Sequence, residues 1–457
     1  MKREHIENAM NHISDSHIEE AMNASRKPQR IYWVGAIAAM LALVMALNWL
    51  PKPVAPNSGG SLVVHANAVS LSGGYRGDTD YGNHKQTLRS ANADLLRFYL
   101  ESTRSVLADT KGENRVYSPA NLYIALSMAA ELCDGETRQQ MLDALGTADL
   151  DTLRAQVEAM WELLYTDEEY EKLILANSLW LDDTVSYDQK VMRSLSYHHF
   201  ASVYQHDLQN EAAGDAIRTW INENTGNLLQ DSVEKVQMDP NTVFALYSTI
   251  YFQSKWSNEF TSNLSKEGLF FADNGTRTVT YMNQLNNSMH YFWGEDFGAV
   301  KLTLRNGSSM WFILPDEDKT VDDVIARGEY LELVTERIPE ENWGSSKYLL
   351  VNLSVPKFDI SSQTYLQEDL QKMGITDAFD YTKASFPAVG GGSLSKVSQA
   401  ARVTIDEKGV VAAAYTEFLA GAGMPPEETM DFKLDRPFLF IIEKAEIPLF
   451  VGVVNAP

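Results

Sequence analysis

The sequence predicts an α+β domain, with helices early and strands late. Three observations predict it. Apolar residues recur at helical spacing through 95–106, 121–132 and 152–164. Strand signatures fill the second half: Val300, Leu302 and Leu304 alternate with Lys301 and Thr303, and 310–314 is a short apolar run. Residues 351–358 and 397–405 also read as strands, and 437–454 reads as two apolar strands around Lys444-Ala445-Glu446. At 457 residues and 44% hydrophobic content, the chain can bury a sizeable core.

Taken from the N-terminus, the chain divides into four parts. Residues 1–30 are a leader carrying a short repeat, His5-Ile6-Glu7-Asn8-Ala9-Met10-Asn11 and His17-Ile18-Glu19-Glu20-Ala21-Met22-Asn23. Residues 31–50 are an apolar run broken only by Asn48, long enough to span a bilayer as a helix. Arg26, Lys27 and Arg30 precede it and Lys52 follows, so the leader is expected in the cytoplasm and the rest outside. A cleaved signal peptide, giving a secreted protein, is the alternative. Its candidate cleavage pattern, Ala66-Asn67-Ala68, lies far past the apolar run. Residues 51–88, with Pro51, Pro53, Pro56 and Gly73-Gly74, read as a flexible tether. Residues 89–457 then form the exported domain.

Composition narrows the function. The formal charge of −24 argues against nucleic acid and acidic polysaccharide as partners. Cys133 is the single cysteine, so there is no intrachain disulfide, and its setting at a helix end reads as a small buried residue. There is no Gly-x-Ser-x-Gly elbow, no His-Glu-x-x-His and no phosphate loop, so no enzyme chemistry, cofactor or metal site is expected. Arg76-Gly77-Asp78 is taken as a chance tripeptide, and Gly390-Gly391-Gly392 as a turn.

The segment with most to say lies near the C-terminus. Asp406-Glu407-Lys408-Gly409 leads into seven residues, Val410-Val411-Ala412-Ala413-Ala414-Tyr415-Thr416, with no charge and no proline. A small-residue stretch follows, Glu417-Phe418-Leu419-Ala420-Gly421-Ala422-Gly423-Met424, ending at Pro425-Pro426. Gly409 lets the backbone swing. If the segment became a strand, Val410, Ala412, Ala414 and Thr416 would share one face. All are small enough to slide under a sheet without burying a charge.

This segment resembles the reactive-centre loop and hinge of the serpins, and other motifs agree in order from about residue 92 to the end. They include Asn114-Arg115-Val116-Tyr117-Ser118-Pro119, Ala176-Asn177-Ser178-Leu179-Trp180, Lys255-Trp256, Val355-Pro356-Lys357-Phe358, Gly374-Ile375-Thr376-Asp377-Ala378-Phe379, Arg436-Pro437-Phe438-Leu439-Phe440 and Leu449-Phe450-Val451-Gly452. The resemblance implies three β-sheets, about nine helices and an exposed loop. It implies a monomer that is not an enzyme but a suicide substrate. A serine protease, or a cysteine protease, attacks the loop and forms an acyl-enzyme. The freed loop then enters the central sheet and distorts the protease before deacylation. Glu407, Gly409, Val410, Val411, Ala412, Ala413 and Ala414 take the hinge positions, with Val410 where Thr or Ser is usual and Val411 where Glu is usual. Ser118, Ser248, Trp256 and Gln399 fall in the region where the sheet opens. Ser248 and Gln399 replace an asparagine and a histidine that ordinarily bond across it; either they form another polar pair or each is a separately satisfied buried polar group.

Counting from Gly409 puts the bait bond at Gly423–Met424, and anchoring on Pro425-Pro426 puts it at Ala422–Gly423. Ala422 is favoured. Both bonds follow a small side chain, which implies elastase-like or subtilisin-like targets with shallow first pockets. Heparin-like activation is not expected, because 148–172 holds eight acidic residues against Arg154 and Lys172. Leader, anchor and exported domain together resemble Gram-positive bacterial membrane proteins. A non-inhibitory binding module and a transmembrane sensor of loop cleavage are the competing readings.

Overall fold

The computed structural model describes residues 62–65, 81–168, 171–230, 238, 241–335, 343–394, 397–410 and 426–457. All belong to one unit, Ser61–Pro457. The leader, the apolar run 31–50 and the loop residues Val411, Ala412, Ala413, Ala414, Ala422, Gly423 and Met424 lie outside the described residues. Among the described residues, no helix is long and apolar enough to cross a membrane.

The described residues hold ten α-helices: α1 (Tyr81–Ser90), α2 (Asn92–Leu107), α3 (Pro119–Leu132), α4 (Gly135–Leu145), α5 (Leu150–Leu164), α6 (Gln189–His198), α7 (Glu211–Asn224), α8 (Val321–Arg327), α9 (Glu329–Val334) and α10 (Gln367–Lys372). The strands of the first half are β1 (Leu62–His65), β2 (Arg115–Tyr117), β3 (Thr166–Asp167), β4 (Lys172–Asp182) and β5 (Ala201–His206). Those of the second half are β6 (Phe244–Lys255), β7 (Lys266–Ala272), β8 (Gly275–Trp293), β9 (Phe297–Thr303), β10 (Ser308–Pro315), β11 (Ser346–Pro356), β12 (Phe358–Tyr365), β13 (Ser398–Asp406), β14 (Gly409–Val410), β15 (Thr429–Lys433), β16 (Phe438–Lys444) and β17 (Ile447–Val454). Helices early and strands late is the order the periodicity predicts. The run 351–358 breaks at Lys357 into two strands, because β11 pairs with β8 while β12 crosses to β13 in the other sheet.

The central sheet has the order β1-β5-β4-β6-β14-β13-β12, with β3 on β4. The second runs β15-β11-β8-β9-β10-β16-β17-β2, with β7 on β8. It contains two strand sets fused through β8, which is 19 residues long. One end of β8 pairs with β7 and the other with β9. The three strand sets of the expected fold are therefore present.

Both faces of the central sheet are covered. On one lies α3, buried along its length except at Ala125, as a helix apolar all round must be. On the other, α7 sets Ala213, Ile217, Trp220 and Ile221 against Ala176 and Trp180 of β4.

Two stretches read as tether are structured. Leu62–His65 add an antiparallel edge strand to β5, and residues 81–88 belong to α1. Lys85 and Arg89 of that helix reach Glu446 at 2.6 and 2.9 Å. Proline and glycine content marked the linker but carried no signal of these distant partners. Cys133 is buried as expected, and burial pushes its thiol up to about 12. Both cations of 148–172 are engaged, Arg154 with Glu131 and Asp151 and Lys172 with Asp167.

The Arg154 contact belongs to a buried cluster joining α3, α5 and α6. Arg154 Nε and Nη2 donate to the two carboxylate oxygens of Glu131 at 2.6 and 2.8 Å, and Ser194 Oγ donates to Oε1 at 3.1 Å. His199, fully buried, has Nδ1 4.0 Å from the same carboxylate. Burial outweighs that attraction and holds the imidazole down at about 4 from 6.5. The unfolded chain therefore binds the extra proton across this window. Stability is full above pH 6.5 and falls as pH drops towards 4, by about 3 kcal/mol at most. Melting from pH 7.5 to 5 should show this slope, and His199→Phe should flatten it.

Candidate functional site

The turn that opens the hinge is fastened from both sides. Asp406 Oδ1 accepts from the amides of Lys408 and Gly409 at 2.8 and 3.3 Å, an Asx-type turn. Trp256, 1% exposed, donates Nε1 to Asp406 O at 2.8 Å and its amide to Lys408 O at 3.0 Å. The amide of Phe260 donates to Glu407 O at 2.8 Å. The Glu407 carboxylate accepts from Ser265 Oγ and Lys357 Nζ, each at 2.7 Å. Burial pushes this carboxyl up, but those two contacts outweigh it and leave it below the ordinary range. Trp256 and Glu407, 151 residues apart in the sequence, meet at one turn. Ser265, Phe260 and Lys357 were missed, since nothing local marks residues so distant in sequence.

Beyond the turn, Gly409 and Val410 form β14, antiparallel to both neighbours. Gly409 stands opposite Lys255 and Asp406, and Val410 opposite Ser254 and Ile405. Val410 is 2% exposed and joins the main core. A Cβ on Gly409 would lie 2.3 Å from Ser254 O and 2.6 Å from Lys255 Cα, at φ +156°. Gly409→Ala should therefore weaken β14 by more than about 1 kcal/mol. Hydrogen exchange checks it: the Val410 amide should exchange faster in the variant.

Below Val410 the sheet is not closed. Among the described residues, β6 and β13 are joined only through the two residues of β14. They flank a cavity of about 180 Å³ floored by α3. Of the two readings of Ser248 and Gln399, the structure shows separately satisfied groups and not a pair. Gln399 instead accepts the Ser118 amide at 2.6 Å and donates Nε2 to Ser118 O at 2.9 Å. Ser248 Oγ donates to Asn121 Oδ1, and Asn121 Nδ2 donates to Ser248 O at 2.9 Å. Ser118 also caps α3, accepting from the Asn121 amide at 3.2 Å. Ser248 and Gln399 are thus tied separately to the first turn of one helix. The helix start supplies the partners that buried polar groups require.

A family model for serpins, described as serine protease inhibitors, matches residues 94–457. The chain belongs to the serpin family. Serpins are inhibitors rather than catalysts, in keeping with a site built of a turn, a hinge and a gap. A serpin-like protein of Methanosarcina acetivorans is 26% identical over 77% of this chain and 83% of its own length. Native tengpin, a thermophilic serpin, superposes with TM-score 0.70 at 26% identity, covering 80% of this chain and 93% of tengpin. Thyroxine-binding globulin in complex with thyroxine gives 0.68 at 24% identity, covering 80% of this chain and 99% of the globulin, a likeness of fold alone. β14 lies between β6 and β13 at one end of this gap.

Proposed function

We propose that this serpin is a suicide-substrate inhibitor of elastase-like or subtilisin-like serine proteases. The observation that carries the reading is β14. Gly409 and Val410 of the hinge already pair with β6 on one side and β13 on the other, and below them, among the described residues, those two strands are not paired with one another. Cleavage at Ala422 or Gly423 frees the rest of the loop to continue that strand. Successive added residues gain backbone hydrogen bonds alternately to β6 and to β13, and the insertion drags the acylated protease with it. The small residues before both candidate bonds favour proteases with shallow first pockets.

The run 31–50 supports a single-pass anchor with the inhibitory domain outside the cell, in a bacterial membrane protein, and secretion is the alternative. Titration of elastase and subtilisin with the full chain in mild detergent tests the target class. Residual activity should fall to zero near equimolar inhibitor for at least one enzyme. Mass spectrometry of the released C-terminal peptide then distinguishes a start at Gly423 from one at Met424. Cleaved loop with fully active enzyme in both titrations contradicts the inhibitor reading and favours a binding module.

A further inference from the structure

The register of β14 extends into the gap with only one solution. Antiparallel pairing means that each step forward along the loop is one step back along β6 and β13. Six residues beyond Val410, Thr416 comes opposite Ser248 and Gln399. That is a polar band in the gap, where Asn121 and Ser118 also lie. Two residues further, Phe418 comes opposite Leu246 and Val397.

The face follows from the same alternation. Leu246 and Val397 pack with the main core on the α3 side, whereas Ala245, Tyr247 and Ala400 pack with the α7 cluster on the other. Val410 is in the main core, so Thr416 and Phe418 share its face. The cavity of about 180 Å³ takes in both levels, with Ser248 and Gln399 as well as Leu246 and Val397 in its lining, and its α3 wall includes Leu122, Ala125, Leu126 and Ala129. Small inward residues precede the polar band, a hydroxyl matches it, and the first large apolar inward side chain arrives opposite Leu246 and Val397, facing the apolar α3 wall of the cavity.

We propose that this cavity is the seat of Phe418, and that filling it is what locks the inserted loop. The proposal rests on the insertion reading above. A phenyl ring seated there leaves water and gains contacts with Leu122, Leu126 and Leu246. Its occupant is this chain's own segment, because β14 enters the gap at its mouth and eight residues of strand reach the cavity.

The test uses the full chain in detergent, its loop nicked by elastase, with the free nicked monomer separated from any protease-bound chain. Four proteins are compared before and after nicking: wild type, Phe418→Ala, Ala125→Phe, and the double variant. Nicked wild type should melt well above the intact protein. Phe418→Ala should lower the nicked midpoint by about 5 °C or more and leave the intact midpoint unchanged. Ala125→Phe, which puts a ring into the same space, should also lower the nicked midpoint, and the double variant should recover it. Nicked Phe418→Ala melting like nicked wild type, or additive losses in the double variant, overturns the proposal. A nicked species stable only as a dimer assigns the cavity to a second copy's loop and likewise overturns it. Failure of the inhibitor reading looks different: elastase stays active, yet the nicked wild type and Phe418→Ala still differ. A nicked wild type no more stable than the intact protein sinks both.

Discussion

Val410→Arg is expected to turn this chain from an inhibitor into a substrate. Val410 is 2% exposed, sits between Ser254 and Ile405, and faces the main core. A guanidinium there must either be buried without a partner, at several kcal/mol, or hold the hinge out of the sheet. Each 1.4 kcal/mol is a factor of ten in the competition between insertion and deacylation. The number of inhibitor molecules consumed per protease inactivated should rise at least about tenfold, with the rate of loop cleavage unchanged. Val411→Arg is the control, because alternation turns the next side chain to the opposite face. Equal inhibition by both variants would contradict the assigned facing.

The largest loss of stability is expected from Trp256→Ala. The indole is among the largest fully buried side chains, lies edge-on to Phe260 at 5.9 Å, and bonds the carbonyl of Asp406. Truncation leaves a cavity at the turn and costs about 3–5 kcal/mol. Because this turn clamps the foot of the loop, the variant should both melt lower and expose the hinge. Thermal melting at a fixed scan rate reads the first effect and limited proteolysis of the hinge the second. Trp256→Phe keeps most of the volume and loses the N–H donor, so it should cost about 1 kcal/mol. Matching losses for the two variants would place the stabilisation in the hydrogen bond rather than in packing.

What the sequence disclosed follows from whether the signal is local. The helical spacing through 95–106, 121–132 and 152–164 is a local signal and matches α2, α3 and α5. Alternation around Val300 and the apolar run at 310 gave β9 and β10 for the same reason. The burial of Cys133 and the inward facing of Val410 were legible too. The partners of Ser248 and Gln399 were not. Both side chains were polar and expected to be buried, but that they bond Asn121 and Ser118 rather than one another depends on how far β6 stands from β13. The edge strand Leu62–His65 was hidden by its setting in a proline-rich stretch, since a strand so short is specified by the edge it meets on β5. The Lys357–Glu407 contact links residues fifty apart and left no local trace.

The central claim is that cleavage of this loop traps a protease covalently. The most direct measurement mixes the full chain with elastase and, separately, subtilisin, then boils the products in denaturant and resolves them on a gel. The account predicts a band near the summed mass of protease and inhibitor, less the released C-terminal peptide, and its loss in Val410→Arg in favour of cleaved chain. Complete loop cleavage by both enzymes with no such band, and with protease activity undiminished, would contradict it.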